Sequence, residues 1–319
     1  MKTKLAFYFF AACLTFTAGA FADPDPDFYI YLCFGQSNME SGARMEEMDR
    51  TVDKRFQVLA DFDNPSRGWK KGNWYDAVPP LTARGRGISL VDYFGRTMVT
   101  NLPAKIRVGI VKCSVSGTKI ELWDKDGFKT YLSNLPAADS WKITAANQYD
   151  GNPYQYLVSL AKIAQKDGVI KGILIHQGES NVDDQDWPKK VKKVYGDLMK
   201  DLDLKPENVT LLAGEVVNAD HQGEKAAFNE ILKKLPETLP NSYVISSAGL
   251  PCNSDHLHFT ATGYREFGRR YAERMLSVLG YKALEPKTSY LQPASPPTTA
   301  PSASTNSALG PPPAPATKP

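Results

Sequence analysis

Near-continuous apolar runs alternate along this chain with amphipathic stretches. Five runs read as buried strands: FYIYLCF (28–34), IRVGIVKCSV (106–115), VIKGILIHQ (169–177), VTLLAGEVV (209–217) and YVISSAG (243–249). Each leads into small or polar residues. Their apolarity is continuous rather than alternating, the pattern of strands covered on both faces, as in parallel sheets. Helical stripes lie between them. SLVDYFGRTMVTNL (89–102) puts Leu90, Tyr93, Phe94, Thr97 and Met98 on one side, with Ser89 as its N-cap. PYQYLVSLAKIAQKDG (153–168) starts near Pro153 and stops at Gly168. PKKVKKVYGDLMKDL (188–202), KAAFNEILKKL (225–235) and GYREFGRRYAERMLSVLG (263–280) repeat the pattern. Strand alternating with helix predicts a three-layer α/β fold with a central parallel sheet and right-handed crossovers. A site in such a fold gathers beyond the carboxyl ends of its strands.

Residues 39–88 break this alternation and read as a long loop, a length that is often functional. Trp69, Trp74 and Tyr75 lie within it. They are candidates for a sugar-stacking wall, or, on the plainer reading, a cover for the sheet.

The ends of the chain differ in character from its middle. Lys2 and Lys4, an apolar run and the small-x-small triplet Ala20-Phe21-Ala22 read as a signal peptide over residues 1–22. That places the mature protein outside the cytoplasm, secreted or periplasmic. Cys13 after FFAA is an imperfect lipoprotein pattern, the weaker reading. No later apolar run reaches spanning length. Residues 283–319 are rich in Pro, Ala, Ser and Thr and have few apolar side chains to bury, so they read as a disordered tail. The folded domain is then 23–282. Of the 319 residues, 42% are hydrophobic and 23% charged, with a net charge of +3 and no long basic block. This is the composition of an ordinary globular protein without a nucleic-acid signature. After cleavage Cys33, Cys113 and Cys252 remain, too few for a disulfide scaffold and without zinc-ligand spacing.

Chemistry is concentrated just past the strand-like runs. GQSN (35–38), SVSGTKI (114–120), HQGESN (176–181), GEVVNADH (214–221) and SDHLHF (254–259) supply a serine, glycine N–H groups, an amide, carboxylates and histidines. Acyl transfer needs such a set: nucleophile, base, an orienter for the base and oxyanion donors. Ser37 alone reads as a turn residue, and Asp255-His256-x-His258 alone also suits a metal. His176 and His221 read as structural.

Taken together, GQSNM, SGTKIELW, HQGESN and SDHLHFTATGYREFGRRYAERM resemble the blocks of SGNH-type (GDSL-like) hydrolases. The nearest group is carbohydrate esterase family six, the acetyl xylan esterases, with sialate O-acetylesterase-like relatives. The resemblance spans nearly all of 27–280. It implies a flavodoxin-like sheet and a serine esterase acting on acetylated plant polysaccharide or oligosaccharide, without cofactor or metal. Carried over by residue, Ser37 is similar to the nucleophile and His258 to the base, with His256 the less favoured spacing. Asp255 is similar to the acid, while Glu179 is a second carboxylate that competes for that role. The N–H groups of Ser37 and Gly117 and the side chain of Gln177 are similar to oxyanion donors, although the wider superfamily often has asparagine at the last position. The absence of a G-x-S-x-G elbow argues against an α/β-hydrolase, not against an esterase. Other readings are a sialate or other sugar O-acetylesterase and, from different classes, a metal-dependent hydrolase or a non-catalytic glycan-binding protein.

Overall fold

A computed structural model describes residues 23–40, 42–82 and 85–283. The expected signal peptide, and the expected tail beyond Ala283, lie outside the described residues. Seven strands build one sheet: β1 (Asp25–Gly35), β2 (Phe56–Leu59), β3 (Trp74–Asp76), β4 (Arg107–Ser114), β5 (Gly168–His176), β6 (Thr210–Gly214) and β7 (Ser242–Ile245). Their order is β3-β2-β4-β1-β5-β6-β7, with every neighbouring pair parallel except β2 and β3. The five strands that the apolar runs predict therefore lie in the order second, first, third, fourth, fifth. That is the flavodoxin-like winding, and its switch point falls beside the carboxyl end of β1.

The helices are α1 (Ser37–Glu40), α2 (Leu90–Asn101), α3 (Phe128–Ser133), α4 (Ser140–Asn147), α5 (Pro153–Ala164), α6 (Trp187–Asp201), α7 (Asn229–Leu232), α8 (Leu235–Thr238) and α9 (Ala261–Val278). Alternate residues of β1 enter opposite halves of the core, as the two-residue period of a strand requires. Phe28, Ile30, Leu32 and Phe34 join Leu157, Leu160, Val191 and Leu198 of α5 and α6. Tyr31 and Cys33 join Leu90, Phe94, Phe267 and Tyr271 of α2 and α9. These side chains are buried, and each contributes about 1.5–3 kcal/mol of transfer free energy. Cys33 and Cys113 are buried free thiols and Cys252 is a half-buried one.

The helix starts follow local chemistry. Ser89 precedes α2 and its N–H donates to the Asp92 carboxylate at 2.7 Å. The Thr260 side chain caps α9, accepting from Gly263 N–H at 3.2 Å. That cap, two residues after His258, fixes the start of α9.

Two expectations change. Residues 39–88 are not structureless: β2 and β3 extend the sheet past β4. Both are only three or four residues long, too short for a periodic signal. The stripe at 225–235 is not one helix but short turns, with α7 and α8 separate. Asn229 accepts from Val216 N–H at 2.9 Å, and Pro236 enters the first turn of α8, so the chain bends to follow these contacts. Among the described residues no helix is long and apolar enough to cross a membrane.

Candidate active site

Ser37 stands two residues past β1, at the switch point, as the first residue of α1. Gly35 makes this possible. A Cβ on it would fall 2.0 Å from the His176 carbonyl oxygen, so only glycine lets β1 pass β5 this closely before the turn. His258 returns from beyond β7. Its Nε2 lies 2.8 Å from Ser37 Oγ, and its Nδ1 lies 2.7 Å from Asp255 Oδ2. The other Asp255 oxygen accepts the N–H groups of Leu257 and His258, each at 3.0 Å. Burial alone would raise the Asp255 pKa. The His258 contact and the two backbone donors outweigh it and hold the carboxyl below the ordinary aspartate value.

Glu179 is also at this end of the sheet but meets a different partner. Its Oε1 accepts from Asn38 Nδ2 at 2.7 Å and lies 3.5 Å from His176 Nδ1. Asn38 is fully buried and completes a clamp. It also donates to the Leu257 carbonyl at 3.0 Å, and its Oδ1 accepts from Phe259 N–H at 3.3 Å and Tyr264 O–H at 2.7 Å. The clamp ties the turn bearing Ser37 to the loop bearing Asp255 and His258. Glu179 therefore reaches the histidine loop through Asn38, whereas Asp255 bonds the imidazole itself. Burial keeps His176 below the ordinary histidine pKa, and its Nε2 lies 3.1 Å from the Glu215 carbonyl.

Gln177 departs from expectation. It is buried; its amide nitrogen donates to Asn181 Oδ1 at 2.7 Å and to the Thr118 carbonyl at 3.1 Å, while its oxygen accepts from Trp187 Nε1. Both amide hydrogens are engaged inside the protein, so none is aimed at an oxyanion beside Ser37. Gly117 follows β4 with a left-handed φ of 66°. Its neighbour Ser116 donates to Glu40 on α1.

The sugar-wall reading of 69–75 also gives way to packing. Trp69 and Tyr75 stack on each other at 5.3 Å, with Arg67 3.8 Å over Trp69. Trp74 donates to Asp167 at 2.9 Å. Asp167 immediately precedes β5, so Trp74 is anchored at the amino end of the sheet, away from Ser37. Edge strand β3 carries Trp74 and Tyr75, whose aromatic area covers the sheet margin. His256 lies 3.1 Å from the His221 carbonyl through Nδ1, leaving His258 alone on Ser37. The one group of three acidic, histidine or cysteine ligand atoms gathered within 4.8 Å among the described residues is Asp124, Asp126 and Asp197. Lys193 Nζ already bonds all three, at 2.7, 2.8 and 3.0 Å.

Beside the serine is a cavity of about 320 Å³ lined by Ser37, Gly42, Ser116, Asn253, His258 and Tyr264. Asn38, Ser116 and Asn253 are the residues that sequence reasoning missed. Asn38 was within reach of it, standing beside the serine in GQSN.

A family model described as carbohydrate esterase, sialic acid-specific acetylesterase, matches residues 27–277. The chain belongs to this family. The match takes in every block from GQSN to the last helix. Solved structures agree on the fold. An Arabidopsis thaliana protein is 21% identical with a TM-score of 0.60, covering 79% of this chain and 99% of its own. NanS is 15% identical at a TM-score of 0.57, over 81% of this chain and 99% of its own. A carbohydrate acetylesterase from Xanthomonas citri is 17% identical at 0.53, over 78% of this chain and 56% of its own. Membership in this acetylesterase family assigns the chain to the carbohydrate esterases, while the likeness to the solved structures shows fold alone.

Proposed function

We propose that this carbohydrate esterase is a serine O-acetylesterase in which Ser37 is the nucleophile, His258 the base and Asp255 the orienter. The observation that carries the reading is the continuous chain of contacts, 2.8 Å from Ser37 Oγ to His258 Nε2 and 2.7 Å from His258 Nδ1 to Asp255. A serine hydroxyl is a weak nucleophile until a base takes its proton. Here His258 accepts that proton as Oγ attacks the acetyl carbonyl. Asp255 keeps the proton on Nδ1 and stabilises the imidazolium that forms. The developing oxyanion is placed against the N–H groups of Ser37 and Gly117. The first N–H groups of a helix have no intrahelical acceptor, which leaves that of Ser37 available. His258 then passes its proton to the departing sugar hydroxyl, leaving acetyl on Ser37. A water, deprotonated by the same imidazole, attacks the acetyl carbon, releases acetate and restores the serine.

Glu179 is read as a positioning residue that sets Asn38. The substrate is an O-acetylated carbohydrate, with acetylated xylan the first expectation from the sequence blocks. The sialic acid-specific description of the family favours a second reading, an O-acetylated sialic acid. A signal peptide would deliver the enzyme to such glycans outside the cytoplasm. Acetate release from acetylated xylan and from O-acetylated sialic acids, assayed side by side, tests activity and chooses between the substrates. No release from either, with the protein folded, would refute the reading.

A further inference from the structure

Trp141 is 47% exposed, although tryptophan is a side chain that proteins ordinarily cover. It stands on α4, an element that the strand–helix alternation does not foretell. Its ring lies against the backbone of Gly117: a Cβ added there would come within 2.8 Å of Trp141 Cη2 and 3.1 Å of Cζ2. Gly117 is the residue after Ser116, which lines the cavity at Ser37. The exposed indole thus packs on the segment that carries Ser116 into the nucleophile's cavity, and any side chain at position 117 would displace it.

A second hollow of about 800 Å³ is lined by Lys119, two residues past Gly117, and by Lys142, the residue after Trp141. Its lining mixes apolar surface such as Leu135 and Pro136 with polar groups, among them Tyr131, Asn134, Asp139 and Ser180. Lys142 is tied to Asp139 at 2.9 Å, and its Nζ lies 5.6 Å from the Trp141 ring centre. The Tyr131 hydroxyl is fixed by Lys119 N–H at 3.1 Å. An exposed aromatic ring flanked by ordered hydrogen-bonding side chains suits a pyranose. The sugar offers an apolar C–H face to the ring and hydroxyls to the polar wall.

We infer that Trp141 is a substrate-positioning residue, a platform on which a sugar ring of the acetylated glycan stacks while its acetyl group reaches Ser37. The neighbouring hollow takes the adjoining part of the glycan. This rests on the O-acetylesterase reading above and adds the place where the carbohydrate is held. Trp69, Trp74 and Tyr75, which are packed elsewhere, have no part in it.

The test compares Trp141→Ala and Trp141→Phe with the unaltered protein. The substrates are acetylated xylo-oligosaccharide, an O-acetylated sialic acid, and triacetin as an acetyl ester without a ring. On the sugar ester that the unaltered protein hydrolyses, Trp141→Ala should raise KM about 10-fold, the upper end of what one aromatic stacking contact supplies. Its kcat should stay within about twofold, because the contact exists before and during the chemical step. Trp141→Phe should recover most of the loss, and triacetin kinetics should be unchanged by either substitution. As a binding readout, titrating the sugar ester into Ser37→Ala should change tryptophan emission, and adding Trp141→Phe should remove that change. An equal loss on triacetin would make Trp141 merely structural and overturn the inference, as would unchanged KM on the sugar ester. Either result leaves triacetin turnover at Ser37 standing. Failure to hydrolyse both sugar esters would instead bring down the O-acetylesterase reading, and the platform with it.

Discussion

Replacing Asp255 with asparagine is informative because the surrounding backbone dictates how the new side chain must lie. Asp255 Oδ1 accepts two N–H groups, from Leu257 and His258, each at 3.0 Å. An asparagine oxygen takes that position, because turning the amide round would oppose donors to donors. The NH₂ group then faces His258 Nδ1, 2.7 Å from where Oδ2 stood. To meet a donor, Nδ1 must give up its proton, so the proton moves to Nε2. Nε2 now donates toward Ser37 Oγ and cannot act as a base. The same change in serine-protease triads costs about 10⁴ in kcat. Here the Asp255 and His258 side chains are 48% and 33% exposed, so water competes for Nδ1 and softens the tautomer preference. We expect a loss of about 10³, or about 4 kcal/mol of transition-state stabilisation. KM on triacetin should change little and the thermal midpoint should stay near that of the unaltered protein. The assay is kcat and KM by acetate release at several pH values, alongside a melting curve. A folded Asp255→Asn protein with more than a tenth of the original kcat would refute the tautomer argument.

Other predictions follow from the same contacts. Glu179→Gln keeps an acceptor for Asn38 but loses its charge, worth about 1 kcal/mol in a buried hydrogen bond. It should lower kcat less than 10-fold and reduce the denaturation midpoint; a larger kcat loss than in Asp255→Asn would reverse the roles of the two carboxylates. Gln177→Ala strands the buried Trp187 N–H, at about 1–3 kcal/mol for an unpaired buried group, and takes one donor from Asn181 Oδ1, which keeps that of Ile120 N–H. Its main effect should therefore appear in urea unfolding, and an intact midpoint with a kcat loss of two or three decades would restore Gln177 as an oxyanion donor. Asp49 is buried, with Arg265 Nη2 at 2.7 Å. Burial would raise its pKa, but the Arg265, Glu46 N–H and Tyr93 contacts prevail and lower it. A depressed carboxyl contributes stability above its unfolded value, about 3.9, that is lost as pH falls through the folded value. Asp49→Asn should therefore unfold more easily at pH 7 and lose less additional stability in strong acid, as read from urea midpoints across pH; an unchanged acid limb would contradict this.

The parallel core was legible because its five strands are buried on both faces, and burial writes itself into sequence as unbroken apolarity. The run at 28–34 sits inside β1, and alternation with helices predicted the parallel three-layer class, while the flavodoxin-like winding came only from the family resemblance. Edge strands β2 and β3 were not legible. Their three or four residues give no period, and their pairing is fixed by partners distant in sequence. The candidate residues at strand ends were visible as residue types, and Ser37, Asp255 and His258 do converge. What sequence could not give is who touches whom. Glu179 and Asp255 were both carboxylates within plausible reach of His258; Asn38, which takes up Glu179, decides between their geometries. Gln177 sat where an oxyanion donor was expected, but an amide has only two hydrogens and the protein interior holds both. Trp141 lacked any signal, since an exposed tryptophan in a short helix looks in sequence like one that is packed.

The central claim is that Ser37 carries the acetyl group during turnover. It is tested most directly by mixing the protein with an activated acetyl ester, quenching in acid within the first turnover and locating the acetyl group by peptide mass spectrometry. The account predicts one acetyl on the peptide containing Ser37, absent from Ser37→Ala and formed far more slowly in His258→Ala, which lacks the base for acylation. Steady turnover by Ser37→Ala, or an acetyl group found consistently on another residue, would contradict it.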